Sequence, residues 1–151
     1  MTSELVIEPF KPEHLGLFEE LAESMKMYED LLVFDWYGIW LAGGPAFSAF
    51  DREGNIVGCA GISFYAWTGN VEAWALLSPL FYHHAKSAHR VVLEGIARTI
   101  KEYGLHRIGL HVPYGDSKAE RWARRLGFSY EGLEQNWGPH QTWALRYARV
   151  M

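Results

Sequence analysis

Three histidines crowd one short stretch of the chain, His83, His84 and His89, while a fourth, His111, stands alone in an apolar run. Neighbouring histidines point in different directions, and no cysteine or carboxylate beside them completes a four-ligand set, so no metal is expected. The pair reads as a solvent-facing or anion-adjacent loop. His111 lies on a β-prone segment, where a histidine is either a hydrogen-bonded structural residue or a proton acceptor whose ordinary pKa is near neutrality. Tyr114, just beyond that segment, is a packing or capping residue or else an acid, and Asp116 most simply caps the helix that follows. Cys59, set among Gly58, Ala60 and Gly61, reads as a buried and inert thiol.

These groups need a scaffold, and hydrophobic periodicity supplies its outline. Glu4 to Glu8 reads as a short strand ended by Pro9 and Pro12, and Leu15, Phe18, Leu21, Ala22 and Met25 then recur at helical spacing. An aromatic stretch from Tyr28 to Leu41 reads as helical or irregular and stops at Gly43-Gly44-Pro45. Ala46–Phe50 and Ile56–Tyr65 form a hairpin across Asp51-Arg52-Glu53-Gly54-Asn55. Val71–Leu77 adds a third antiparallel strand, ended by Ser78-Pro79. Ser87 is expected to cap a helix running to Tyr103 and ending at Gly104, and Arg107–Val112 is the next strand. Ser117-Lys118-Ala119-Glu120 reads as a capping box opening a helix that stops at Gly127. Phe128 to Val150 closes the chain with one or two strands. The order predicts a single α+β domain over residues 1–151, with no repeat or linker.

Bulk composition narrows the function. The 151 residues are 49% hydrophobic and 15% aromatic, enough for a buried core, and the formal charge of −4 carries no basic run suited to nucleic acid. No apolar stretch nears the ~18 residues of a membrane span, and the amino terminus lacks a signal-peptide layout. A lone cysteine suits a reducing cytoplasm.

Over nearly its whole length the element order resembles the GNAT acetyltransferase superfamily. The residues that carry the resemblance are Leu77-x-Pro79 before the central helix and Asp116-x-x-Ala119 leading to Leu126-Gly127-Phe128 and Tyr130-Glu131-Gly132. The fold this implies is a mixed, mostly antiparallel sheet with a splayed strand pair and flanking helices. The phrase Glu72 to Pro79 and the loop after it are similar to small GNAT-like proteins encoded by bacteriophages, some of them virion-associated. That second likeness implies a binding module without catalysis, directed to a host or virion protein.

The superfamily resemblance implies an N-acetyltransferase that uses acetyl-CoA and acts on an amine of a protein or a small molecule, with no metal; a homodimer is compatible with it. Backbone groups near Ala75 and Leu77 would pair with the pantetheine arm, as an added strand does. The diphosphate would meet the start of the next helix at Tyr82, His83, His84, Ala85, Lys86 and Ser87, with Lys86 and Arg90 supplying charge, and Asp116 stands where the family's Asn often faces the cofactor. The chain departs from the family there: Tyr82, Ala85 and Ser87 replace a pattern containing two glycines. It departs again at Ala123, where the family often has the tyrosine that protonates the leaving thiolate; Tyr114, at the end of the fifth strand, or solvent directly would supply that proton instead. For the base, the resemblance offers Glu72, which a one-residue shift would turn to the opposite sheet face, and His111 on the paired strand. Trp36, Tyr37 and Trp40 would border the acceptor groove.

Overall fold

The computed structural model describes residues 4–65 and 67–151. Seven strands form one sheet in the order β1-β2-β3-β4-β5-β7-β6. They are β1 Val6–Pro9, β2 Ala46–Phe50, β3 Ile56–Phe64, β4 Asn70–Leu77, β5 Arg107–Pro113, β6 Ser129–Glu134 and β7 Ala144–Val150. Neighbours are antiparallel except β4 and β5, which run parallel. Three α-helices, α1 Asp35–Leu41, α2 Ala85–Tyr103 and α3 Ser117–Arg125, accompany the sheet. None of the described helices is long and apolar enough to cross a membrane.

Strand parity decides what each face buries. Val71 of β4, Ile108 and Val112 of β5, and Leu145 and Tyr147 of β7 pack with Ile96 of α2, Ala123 of α3 and Leu126, the residue that caps α3. On the opposite face Leu76 and Cys59 pack with Phe10, Leu15, Leu21, Tyr37 and Leu41, which come from the chain between β1 and β2. Glu72 has the parity of Leu76 and therefore lies on this second face.

Several helix boundaries differ from the expectation. The apolar spacing of Leu15 to Met25 predicts one amphipathic helix, yet the chain forms two 3-10 segments, Pro12–Leu17 and Glu23–Val33. Extended backbone at Phe18 and Ala22 separates them, and the Ala22 N–H is drawn off to the Leu77 carbonyl at 2.7 Å. A tertiary hydrogen bond and the burial of Leu21 thus override the local period. Helix α2 starts two residues before Ser87, with His84 as its N-cap, and ends as expected at Gly104, whose φ of 61° is left-handed. The cap of α3 is Asp116, whose Oδ1 accepts the Ala119 N–H at 3.0 Å. Ser117 is the first helical residue, and Glu120 accepts the Tyr147 hydroxyl at 2.5 Å. Cys59 is buried as expected, with its thiol pushed up to about 12 by desolvation.

Candidate active site

Strands β4 and β5 stay in register only from Asn70↔Arg107 to Glu72↔Gly109. Beyond that point β4 continues to Leu77 paired with β3, and β5 continues to Pro113 paired with β7, so an opening lies between them. Ser78 donates its N–H to Val57 of β3 at 3.0 Å, whereas the Leu77 carbonyl receives Ala22. Backbone groups alternate in direction along a strand, so Ala73 and Ala75 share the direction of Leu77, away from β3 and into the opening. Of the two residues expected to offer backbone groups, Ala75 turns them into the opening, and the Leu77 carbonyl already accepts from Ala22. Ala73 faces the opening in the same way as Ala75.

Glu72 and His111 meet where the strands part. His111 Nδ1 lies 2.5 Å from Glu72 Oε2, and its Nε2 lies 3.2 Å from Glu134 Oε1. Tyr65 donates its hydroxyl to Glu72 Oε1 at 3.1 Å, and Arg146 Nε is 2.7 Å from Glu134 Oε1. Glu72 thus lies on the same sheet face as His111. Gly109 makes room for this: a Cβ there would stand 3.0 Å from Glu72 Oε1. The His111 ring is also stacked on Trp137 at 3.8 Å and 15°, which leaves its side chain only 6% exposed.

Glu134 reaches the site through a β-bulge. Tyr130 faces Tyr147 and Gly132 faces Arg146, so Glu131 is the extra residue, and every later side chain of β6 changes face. Gly132 adopts φ 154°, a conformation side chains rarely take. Glu131 turns to Arg107, whose Nη1 donates to its Oε2 at 2.9 Å.

Burial alone would push His111 down, yet hydrogen bonds and charge from Glu72 and then Glu134 outweigh it and hold the imidazole above its ordinary value. Desolvation opposes the change at Glu134, but His111 and Arg146 together hold that carboxyl below its usual range. With both ring nitrogens facing carboxylates, the arrangement favours an imidazolium that donates twice. Because the folded pKa of His111 exceeds 6.5, its stabilising contribution is complete below that value and fades as pH rises through the raised pKa. The contribution of Glu134 is present above 4.5 and fades as pH falls through its lowered pKa. The Tm gap between wild type and His111→Gln is therefore expected to be widest between those two values and to narrow on either side. A gap that ignores pH would contradict the network.

The remaining expected residues occupy two places. Lys86 and Arg90 are exposed on the first turns of α2, whose amino end also presents Ala85 and Ser87. None of residues 82–87 has positive φ, so the loop reaches this shape without the missing glycines. Tyr82 is exposed, with Lys118 Nζ 5.7 Å above its ring, which brings a further cation to the helix start. His83 is exposed, and His84 is half-buried with an unpartnered Nδ1. Tyr114 is exposed at the end of β5, edge-on to Trp143 at 5.8 Å. Ala123 is buried under α3, and Trp122 beside it donates to His89 at 3.1 Å.

A pocket of about 540 Å3 opens beside the His111 network and is walled by Tyr28, Leu31, Trp36, Tyr37, Trp40 and Trp137. It contains the expected Trp36, Tyr37 and Trp40, and adds Tyr28 and Trp137. Trp137 belongs to a loop in which Asn136, His140 and Gln141 all have φ between 53° and 61°. Each such residue costs about 1–2 kcal/mol, so outside contacts must hold the loop. His140 Nε2 lies 2.8 Å from Asp30 Oδ2, and Thr142 Oγ1 is 3.4 Å from Met27 Sδ, tying the loop to the second 3-10 segment. Among the described residues no cluster of three or more His, Cys, Asp or Glu is placed to hold a metal ion.

No protein-family profile matches the chain. Its backbone is similar to that of a GNAT-family acetyltransferase from Streptococcus pneumoniae, with a TM-score of 0.72 at 15% identity over 98% of this chain and 99% of that one. A GNAT-family acetyltransferase from Bacillus anthracis gives 0.71 at 17% identity over 99% and 97%. A curated relative, Probable N-acetyltransferase 14 of Danio rerio, is 28% identical over 82 residues. That match spans 54% of this chain and 29% of the relative's length. The molecule thus has the GNAT acetyltransferase fold, an open mixed sheet of seven strands flanked by helices.

Proposed function

We propose that the chain, taken over 1–151 as one GNAT-like unit, transfers acetyl from acetyl-CoA directly to an amine. The observation that carries this reading is the Glu72–His111–Glu134 network at the mouth of the β4–β5 opening. Acetyl-CoA, when bound, supplies the acyl thioester. The backbone of Ala73 and Ala75 offers strand-like hydrogen bonds to an amide-bearing arm, and the amino end of α2, with Lys86, Arg90 and Lys118, offers positive potential to a diphosphate. Glu72, 22% exposed, is the carboxylate an incoming ammonium can reach, while His111 is nearly sealed. Glu72 takes the ammonium proton, and neutral His111 accepts it through the 2.5 Å contact. The freed amine forms the C–N bond as the C–S bond breaks, the sulfur leaves with the electron pair, and the acylated nitrogen sheds its second proton to solvent to become the amide. Tyr114 or solvent returns a proton to that sulfur in place of the residue absent at Ala123. The single buried thiol suits a cytoplasmic setting.

The reading is tested by titrating acetyl-CoA into the protein calorimetrically. Saturable heat at one site per chain is expected, and a flat titration would remove the reading at its first step. A second reading, a binding module for a host or virion protein that has lost turnover, is favoured by the apolar Ala123 and the glycine-free loop. It predicts a stoichiometric protein partner whose capture is indifferent to CoA.

A further inference from the structure

The pocket beside Glu72 has a chemistry that selects among amines. Five of its side chains are aromatic, and none of the described residues lining it is charged. Burial pushes the Tyr37 phenol up to about 12 and that of Tyr28 higher, so both stay neutral. Trp36 and Trp40 remain 57% exposed, and Trp137 is 41% exposed, large apolar surfaces with little covering them. The carboxylates of the His111 network stand at one end: Trp137 stacks on His111, and the Glu72 charge is felt at Tyr28. A cation is therefore favoured at one end and an uncharged flat body along the rest.

We infer that the acceptor is a small primary amine carried on a flat apolar body of one or two rings, with its ammonium at Glu72 and its rings among Trp36, Trp40 and Trp137. The inference rests on the acetyl-transfer reading and names its substrate class. A volume of about 540 Å3 suits a ligand of that size. A linear polyamine would bring further ammonium groups into a lining that has no carboxylate for them. Asp30, on the same 3-10 segment as Tyr28 and Leu31, is already paired with His140. A peptide would need a through-running groove, but the Asp30–His140 and Met27–Thr142 contacts join the two segments that wall the pocket.

The test compares initial rates of thiol release from acetyl-CoA with phenethylamine, spermidine and a lysine-containing peptide as acceptors. Phenethylamine is expected to give kcat/KM about 100-fold above the other two. Trp36→Ala is expected to lower that value about tenfold by raising the amine KM, leave the acetyl-CoA KM unchanged, and be largely rescued in Trp36→Phe. Preference for spermidine or the peptide, or indifference to Trp36→Ala, overturns the inference. Thiol release with no amine at all defeats the transfer reading instead. In that event, quenching of tryptophan fluorescence by phenethylamine, lost in Trp36→Ala, still supports the ligand class, and absence of quenching overturns it.

Discussion

Glu72→Gln is expected to lower kcat by about a hundred- to a thousand-fold while leaving the KM for acetyl-CoA nearly unchanged, the range set by removing a general base. The amide keeps the shape of the carboxylate and can still accept from His111 Nδ1, so what is lost is charge and basicity. A second readout separates this from a structural effect. Glu72 is the leading attractive partner that raises His111, and without it the imidazole falls back toward its ordinary value near 6.5. The wild-type rate should rise with pH through an apparent pKa above that value, as His111 loses the proton that stops it accepting another. In Glu72→Gln the residual rate should titrate at lower pH. Stability follows the opposite course, because the imidazolium that blocks proton acceptance is the form that pairs with Glu72 and Glu134. An equal loss at all pH values, with the profile unmoved, would assign Glu72 to packing alone.

Ala85→Asp is expected to weaken acetyl-CoA binding by about 30- to 100-fold and at the same time to leave the fold as stable or slightly more so. Ala85 is the exposed first residue of α2. A carboxylate there favours the helix dipole, worth about 0.3–1 kcal/mol in stability. The same charge set about 5 Å from a diphosphate costs on the order of 2–3 kcal/mol near a protein surface, and less in high salt. The two effects have opposite signs, so a raised or unchanged Tm with lost affinity localises the anion to this helix end. Calorimetric titration and a thermal melt on one preparation read both. Unchanged affinity would move the diphosphate elsewhere.

Much of this architecture is legible from local rules. The β2–β3 hairpin, the β4 stop at Ser78-Pro79, Gly104 after α2 and the β5 run each follow from turn residues and period, and each is present close to its expected limits. The segment from Leu15 to Met25 was misleading because its spacing suits an α-helix while its backbone answers to Leu77, more than 50 residues away. The capping box failed for a similar reason: Glu120 is claimed by Tyr147, and Asp116 caps instead.

At the site, Glu72 and His111 were visible as residue types, but their meeting was not. It depends on the β4–β5 register and on the missing side chain at Gly109, both of which link distant segments. Glu134 was hidden altogether. Simple alternation along β6 puts Tyr130, Gly132 and Glu134 on one face, and only the bulge at Glu131 carries Glu134 to His111. The Gly132 beside that bulge is the one local signal, and it also belongs to the Tyr130-Glu131-Gly132 motif. Trp137 lies in a loop whose position is fixed by contacts to Asp30 and Met27, so nothing in its neighbours announced the stack on His111.

Acetyl transfer to an amine is read most directly by incubating the protein with acetyl-CoA and a mixture of phenethylamine, spermidine and a lysine-containing peptide, and quantifying free CoA and every acetylated amine by mass spectrometry. Transfer requires free CoA and total acetylated amine in equal amounts, suppression of both when the amines are omitted, and slowing of both together in Glu72→Gln. Free CoA appearing without acetylated amine, or neither product appearing while acetyl-CoA binds, would contradict it.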